Sequence, residues 1–174
     1  MQTSITKFFN NNCNINCNNK KKETKINIYT DGACSGNGTK SAKAGIGVYI
    51  SNTHTLSERL KGLQTNQRAE LYAILRSLQI IKLDDYTSIN IYTDSMYSIN
   101  CLTKWINGWL KNGWLDKKKH NVKNKDLIKP IYDILSKNQH IYLIHVEAHT
   151  NNTDIHSIGN DKADKLARQS LKLI

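Results

Sequence analysis

The chain has 174 residues, 39% of them hydrophobic, with 25 Lys and Arg against 14 Asp and Glu for a formal charge of +11. That length and apolar content suit one globular domain with an appendage, and the charge calls for a polyanionic partner, nucleic acid or an acidic membrane surface. No signal-peptide core follows Met1, and no apolar run approaches the roughly 18 residues of a membrane span, so the expectation is a soluble, intracellular protein without a membrane partner.

The first element, residues 1–23, is expected to be a disordered tail. Residues 10 to 19 contain seven asparagines and lead into Lys20, Lys21 and Lys22, a polar composition that predicts a disordered linker with the folded domain starting at Thr24. Cys13 and Cys17 have a zinc-like spacing with no second ligand pair, and with Cys34 and Cys101 they read as free thiols of a reducing compartment. Strands are predicted at 26–29, at 45–50 and over Thr53 to Leu60, as an antiparallel meander whose first turn holds Asn37-Gly38. Asn66 to Ile81 has apolar residues at helical spacing, capped by Thr65 or Asn66. Residues 88–92 form a further strand, Ser95 to Trp105 a short helix, and Asp126 to Ser136 a helix with Pro130 in its first turn. His140 to Val146 is a strand and Gly159 to Leu173 a last helix. The order βββαβα(α)αβα defines an α/β fold, a mixed sheet with helices on its faces.

Four carboxylates punctuate this order: Asp31 after a strand, Glu70 early in a helix, Asp94 after a strand and Asp164 in the last helix. Singly, each has a bland explanation as turn residue, capping box or dipole partner. Together, at strand ends and helix starts, they can be gathered on one surface, and an all-oxygen donor set suits Mg²⁺ or Mn²⁺ acting on a phosphodiester.

The motifs Thr30-Asp31-Gly32-Ala33-Cys34, Ala44-Gly45-Ile46-Gly47-Val48-Tyr49, Thr65-Asn66-Gln67-Arg68-Ala69-Glu70-Leu71, Tyr92-Thr93-Asp94-Ser95-Met96-Tyr97 and the run from Gly159 to Ala167 occur in the order found in type 1 ribonuclease H, which the chain resembles over residues 24 to 172. The resemblance implies a ribonuclease H-like fold with a five-stranded mixed sheet in a catalytic domain of residues 24–174, acting as a monomer. It implies cleavage of the RNA strand of RNA·DNA hybrids, leaving 5′-phosphate and 3′-hydroxyl ends, with two Mg²⁺ ions, replaceable by Mn²⁺, held by Asp31, Glu70, Asp94 and Asp164. The family spacing selects Asp164 over Asp161. A mobile family histidine corresponds to His149, with His156, in a loop running from His149 to Asp164, as the alternative.

The same resemblance assigns substrate contacts. Asn37, Asn66 and Gln67, with the backbone near Cys34 and Ser35, would read the minor groove and RNA 2′-hydroxyls. Tyr97 and Trp105 would line a DNA channel, Trp109 and Trp114 would pack helices, and Thr65 with Asn124 would hold a DNA phosphate. Leu63 stands where some relatives have arginine. All three tryptophans fall in residues 104–114, followed by a lysine-rich stretch, a combination suited to gripping a nucleic-acid backbone.

Residues 2 to 9 fit Gln-x-x-aliphatic-x-x-aromatic-aromatic through Gln2, Ile5, Phe8 and Phe9, and resemble the peptide that docks on the sliding clamp PCNA. Both phenylalanines of the chain are here, with no core to join. The resemblance implies clamp tethering in DNA replication or repair, in a nucleus or viral replication compartment, in place of the hybrid-binding domain of many eukaryotic relatives. The alternative is an inactive, clamp-linked hybrid-binding adaptor.

Overall fold

In a computed structural model of the protein, the described residues are 24–148 and 153–173, together with the backbone of Ile5 and Thr6. The strands are β1 (Ile5–Thr6), β2 (Lys25–Ser35), β3 (Lys43–Ser51), β4 (His54–Arg59), β5 (Ser88–Thr93) and β6 (Ile141–His145). The longer helices are α1 (Asn66–Gln79), α4 (Lys125–Lys137) and α5 (Ile155–Ser170), with the short α2 (Met96–Asn100) and α3 (Ile106–Lys111) joined by a π turn at Cys101–Trp105.

The sheet order is β1-β6-β5-β2-β3-β4. Strands β2, β3 and β4 are an antiparallel meander, while β5 and β6 run parallel to β2. These five strands make the expected mixed sheet. A two-residue sixth strand, β1, lies antiparallel along β6, pairing Ile5 with Ile144 and Thr6 with Leu143.

Alternation sorts the strand side chains onto two faces. On one, Ile28, Ile89, Ile91, Ile141 and Leu143 meet Leu71, Ile74 and Leu78 of α1 and Ile128, Ile131 and Leu135 of α4. Burial of side chains this size contributes about 1.5–3 kcal/mol each. On the other, Tyr29, Tyr92, Ile144 and Val146 pack with Ala163 of α5.

At two glycines the helix backbone lies against the sheet with no room for a side chain. A Cβ on Gly47 of β3 would collide with the Ala163 carbonyl and lie 2.5 Å from Ala167 N of α5, and one on Gly32 of β2 would lie 2.6 Å from the Ala69 carbonyl carbon of α1.

Several expectations are corrected. Helix α5 begins at Ile155, a turn before Gly159, because Asp154 caps it by accepting from the His156 and Ser157 N–H groups; His156 is therefore in the helix and not in a loop. Pro130 lies in the second turn of α4, not the first, since that helix starts at Lys125. The helix expected over Ser95 to Trp105 is present, capped by Ser95, but it widens into a π turn at Cys101–Trp105 and runs on to Lys111. Asp31 lies inside β2 and not at its end, because pairing with β3 carries the strand on to Ser35.

Candidate active site

The parallel ladder between β2 and β5 stops at Tyr29 and Tyr92, while β2 continues along β3. This leaves a notch at the carboxyl ends of parallel strands, the usual place for a site in α/β sheets. Asp31, opposite Gly47, projects there from β2, and Asp94 enters immediately after β5. Glu70 comes from the second turn of α1, where Thr65 accepts the Arg68 N–H as N-cap and the clearance at Gly32 lets the helix reach the strand.

One carboxylate oxygen each from Asp31, Glu70 and Asp94 lie within 4.8 Å of one another. With Asp164 of α5 they line a cleft of about 380 Å³, whose wall includes Cys34, Ser35, Asn66 and Arg168. Asp161 is not among the lining residues.

The electrostatics are those of a cation site. Burial, followed by the charges of Asp94 and Asp164, pushes the Asp31 carboxyl up to about 8. Glu70 is likewise raised well above the ordinary range, first by burial and then by Asp31 and Asp94. Its Oε1 receives the Asn66 amide at 3.5 Å, whereas its buried Oε2 has no hydrogen-bond partner among the described residues. Crowded, buried carboxylates with an unsatisfied oxygen fit a hard divalent cation, and Asp31, Glu70, Asp94 and Asp164 are the residues that can hold one.

Around the cleft, the Asn37 side-chain oxygen accepts the Asn66 backbone N–H at 3.2 Å, while Gln67 is solvent-exposed. At the start of α4, the Asn124 amide donates to the Tyr97 hydroxyl at 2.9 Å, and Tyr97 meets the edge of Trp105 with ring centres 6.0 Å apart. Trp105 is 43% exposed, whereas Trp109 and Trp114 pack against the core. Lys125 Nζ sits over the Trp114 ring at 5.4 Å. Leu63 is 66% exposed, so that position brings no cation to the Thr65–Asn124 region.

His156 is occupied elsewhere. Its Nδ1 is 3.1 Å from the Tyr29 hydroxyl and its ring stacks on Tyr92 at 4.3 Å. His149 lies outside the described residues, as do Gln2, Phe8 and Phe9 and the side chain of Ile5. Arg168, not among the residues expected from sequence, donates from Nε to Asp164 Oδ1 at 2.8 Å. The four-residue spacing on a helix was the available signal.

The RNase H family model matches residues 23–172. Ribonuclease H1 of Mus musculus is 42% identical over 83% of this chain and 50% of its own length. Ribonuclease H of Parvibaculum lavamentivorans is 38% identical over 86% of this chain and 93% of its own. The foamy viral protease-reverse transcriptase, solved in complex with RNA/DNA hybrid, superposes with a TM-score of 0.69 at 27% identity, over 94% of this chain and 23% of that one. The chain thus belongs to the RNase H family, of type 1. It spans about half the length of the mammalian relatives that it matches. No helix among the described residues is long and apolar enough to cross a membrane.

Proposed function

We propose that this protein is an endoribonuclease that hydrolyses the RNA strand of RNA·DNA hybrids, leaving 5′-phosphate and 3′-hydroxyl ends. The observation that carries the reading is the convergence of Asp31, Glu70, Asp94 and Asp164 on one cleft, in a chain whose charge is otherwise strongly positive.

Asp31 and Asp164 would hold one Mg²⁺, and Asp31, Glu70 and Asp94 a second, with Mn²⁺ a substitute. Such ions supply activation of a water and neutralisation of charge on the leaving 3′-oxygen. Asn66, tied to Glu70 and to Asn37, connects minor-groove reading to the carboxylates. With Gln67 and the backbone at Cys34 and Ser35 it selects the strand bearing 2′-hydroxyls. Tyr97, Trp105, Thr65 and Asn124 take the DNA strand, and His149 assists proton transfer or product release.

The protein acts as a monomer on hybrids formed in DNA replication or repair, in a nucleus or viral replication compartment. Its residues 2 to 9, with Ile5 and Thr6 released from β6, engage a PCNA-type sliding clamp through Gln2, Ile5, Phe8 and Phe9. The linker then holds the nuclease near its duplex at raised effective concentration.

Cleavage of a labelled RNA·DNA hybrid is compared with RNA·RNA and DNA·DNA duplexes, in Mg²⁺ and in EDTA, for wild type and Asp94→Asn. Hybrid-only, metal-dependent cutting lost in the variant is expected; tight hybrid binding without cutting refutes the enzyme and leaves the adaptor. For the clamp, deletion of residues 2–9 should abolish clamp-dependent stimulation while sparing cleavage of free hybrid, and stimulation that survives the deletion sinks that part.

A further inference from the structure

Asn124 initiates α4 at φ 60 and ψ 21, and its side chain makes no capping hydrogen bond to that helix. Asparagine is a preferred N-cap because its side-chain oxygen can accept a first-turn N–H. Here the oxygen is turned away and receives Arg68 Nη1 at 3.3 Å, while the amide nitrogen donates to the Tyr97 hydroxyl at 2.9 Å. Tying the oxygen to a guanidinium, which can only donate, fixes which end of the amide is which. The nitrogen has a second hydrogen to give.

Arg68 is itself fixed. Its Nη1 and Nη2 form a two-pronged pair with Asp126 at 2.8 and 2.5 Å, and its side chain is only 13% exposed. Its backbone N–H donates to Thr65 Oγ1 at 3.3 Å. One residue thus contacts both members of the proposed DNA-phosphate site, Thr65 through the main chain and Asn124 through the guanidinium. Asp126 balances its charge, so Arg68 offers alignment more than attraction. With the uncharged Leu63 at the neighbouring position, alignment of neutral donors matters more.

We infer that Arg68, locked by Asp126, is a positioning residue for DNA-strand binding: it holds the Asn124 amide, nitrogen outward, beside Thr65 so that both can donate to one phosphate. This rests on the proposed hybrid nuclease.

The test is a cycle between protein and substrate. Hybrids carrying one neutral methylphosphonate linkage, walked along the DNA strand, are cleaved by wild type, Arg68→Ala, Asp126→Asn and Asn124→Ala. In wild type one linkage position raises KM several-fold. Arg68→Ala raises KM on the unmodified hybrid by a similar factor, changes kcat less than about twofold and loses sensitivity to that linkage. Asp126→Asn, at an exposed position, falls between, and with Asn124→Ala it completes the cycle if Arg68→Ala does not fold. The dependence of log KM on log salt keeps its slope in Arg68→Ala, whereas loss of a direct phosphate contact would lower it by about one.

Full retention of linkage sensitivity in the Arg68 and Asp126 variants overturns the inference, as does a change of slope by one. Cleavage by wild type with no sensitive linkage also overturns it while leaving the nuclease reading intact. Failure of wild type to cleave any hybrid is the separate failure of that reading.

Discussion

Arg168 Nε donates to Asp164 Oδ1 at 2.8 Å across one turn of α5, so the carboxylate that the last helix brings to the cleft arrives with its own counter-charge. Asp31 and Glu70, each 6% exposed, are crowded instead by like charges. On the β2–α1 side the site therefore resists carrying its full negative charge, first through burial and then through like charges.

Glu70→Gln removes a buried carboxyl that the fold resists ionising. In metal-free buffer at neutral pH the variant should be more stable than wild type, by on the order of 1 kcal/mol or a few degrees in Tm, while hybrid cleavage in Mg²⁺ falls at least a hundredfold. Thermal melts beside cleavage rates check this. A lower Tm in the variant contradicts it.

The pH dependence has a definite sign. Asp31 moves from 3.8 to about 8 on folding, so over that window the folded state binds the extra proton, and the resulting stability is complete below 3.8 and lost as pH rises to about 8. Without metal, the Tm of Asp31→Asn minus that of wild type should grow from pH 4 to pH 8. Saturating Mg²⁺ should shrink the difference, because the ion binds the ionised wild-type site. A difference independent of pH refutes the assignment.

His156→Ala should lower Tm and retain hybrid cleavage within a fewfold, because the imidazole is bonded to Tyr29 and stacked on Tyr92 and does not line the cleft. Tyr29→Phe should lose about 1 kcal/mol, and the double variant should fall short of the sum. His149→Ala should instead reduce kcat. Steady-state kinetics of the variants decide between the histidines.

Trp105→Ala should weaken hybrid binding by about 1–3 kcal/mol, as loss of a stacking platform does, with little effect on Tm. Its ring is 43% exposed and touches Tyr97 and Trp109 only by edge contacts. Fluorescence anisotropy with labelled hybrid in Ca²⁺ would read it. Unchanged affinity removes Trp105 from the channel.

The carboxylates were legible because acidic residues beside apolar runs are conspicuous, and a sheet can assemble only certain ends. The strands and α1 followed from alternation and helical period. The start of α5 is hidden in the sequence because Asp154, its cap, belongs to a polar stretch that reads as loop. The Arg68–Asp126 pair joins segments with no local signal connecting them, and only folding reveals the partner. Asp31 within a strand depends on how far β3 accompanies β2, a matter of register between distant residues.

The clearances at Gly32 and Gly47 make the spacing of the carboxylates depend on atoms that are missing. Gly32 admits the turn of α1 that bears Glu70, and Gly47 admits the stretch of α5 that bears Asp164. A single added methyl at either would push a helix outward and part the carboxylates while leaving every acidic group intact. The cleft can thus be pulled apart from positions with no chemistry of their own, and a search for function among reactive side chains alone would overlook the glycines that hold it to size.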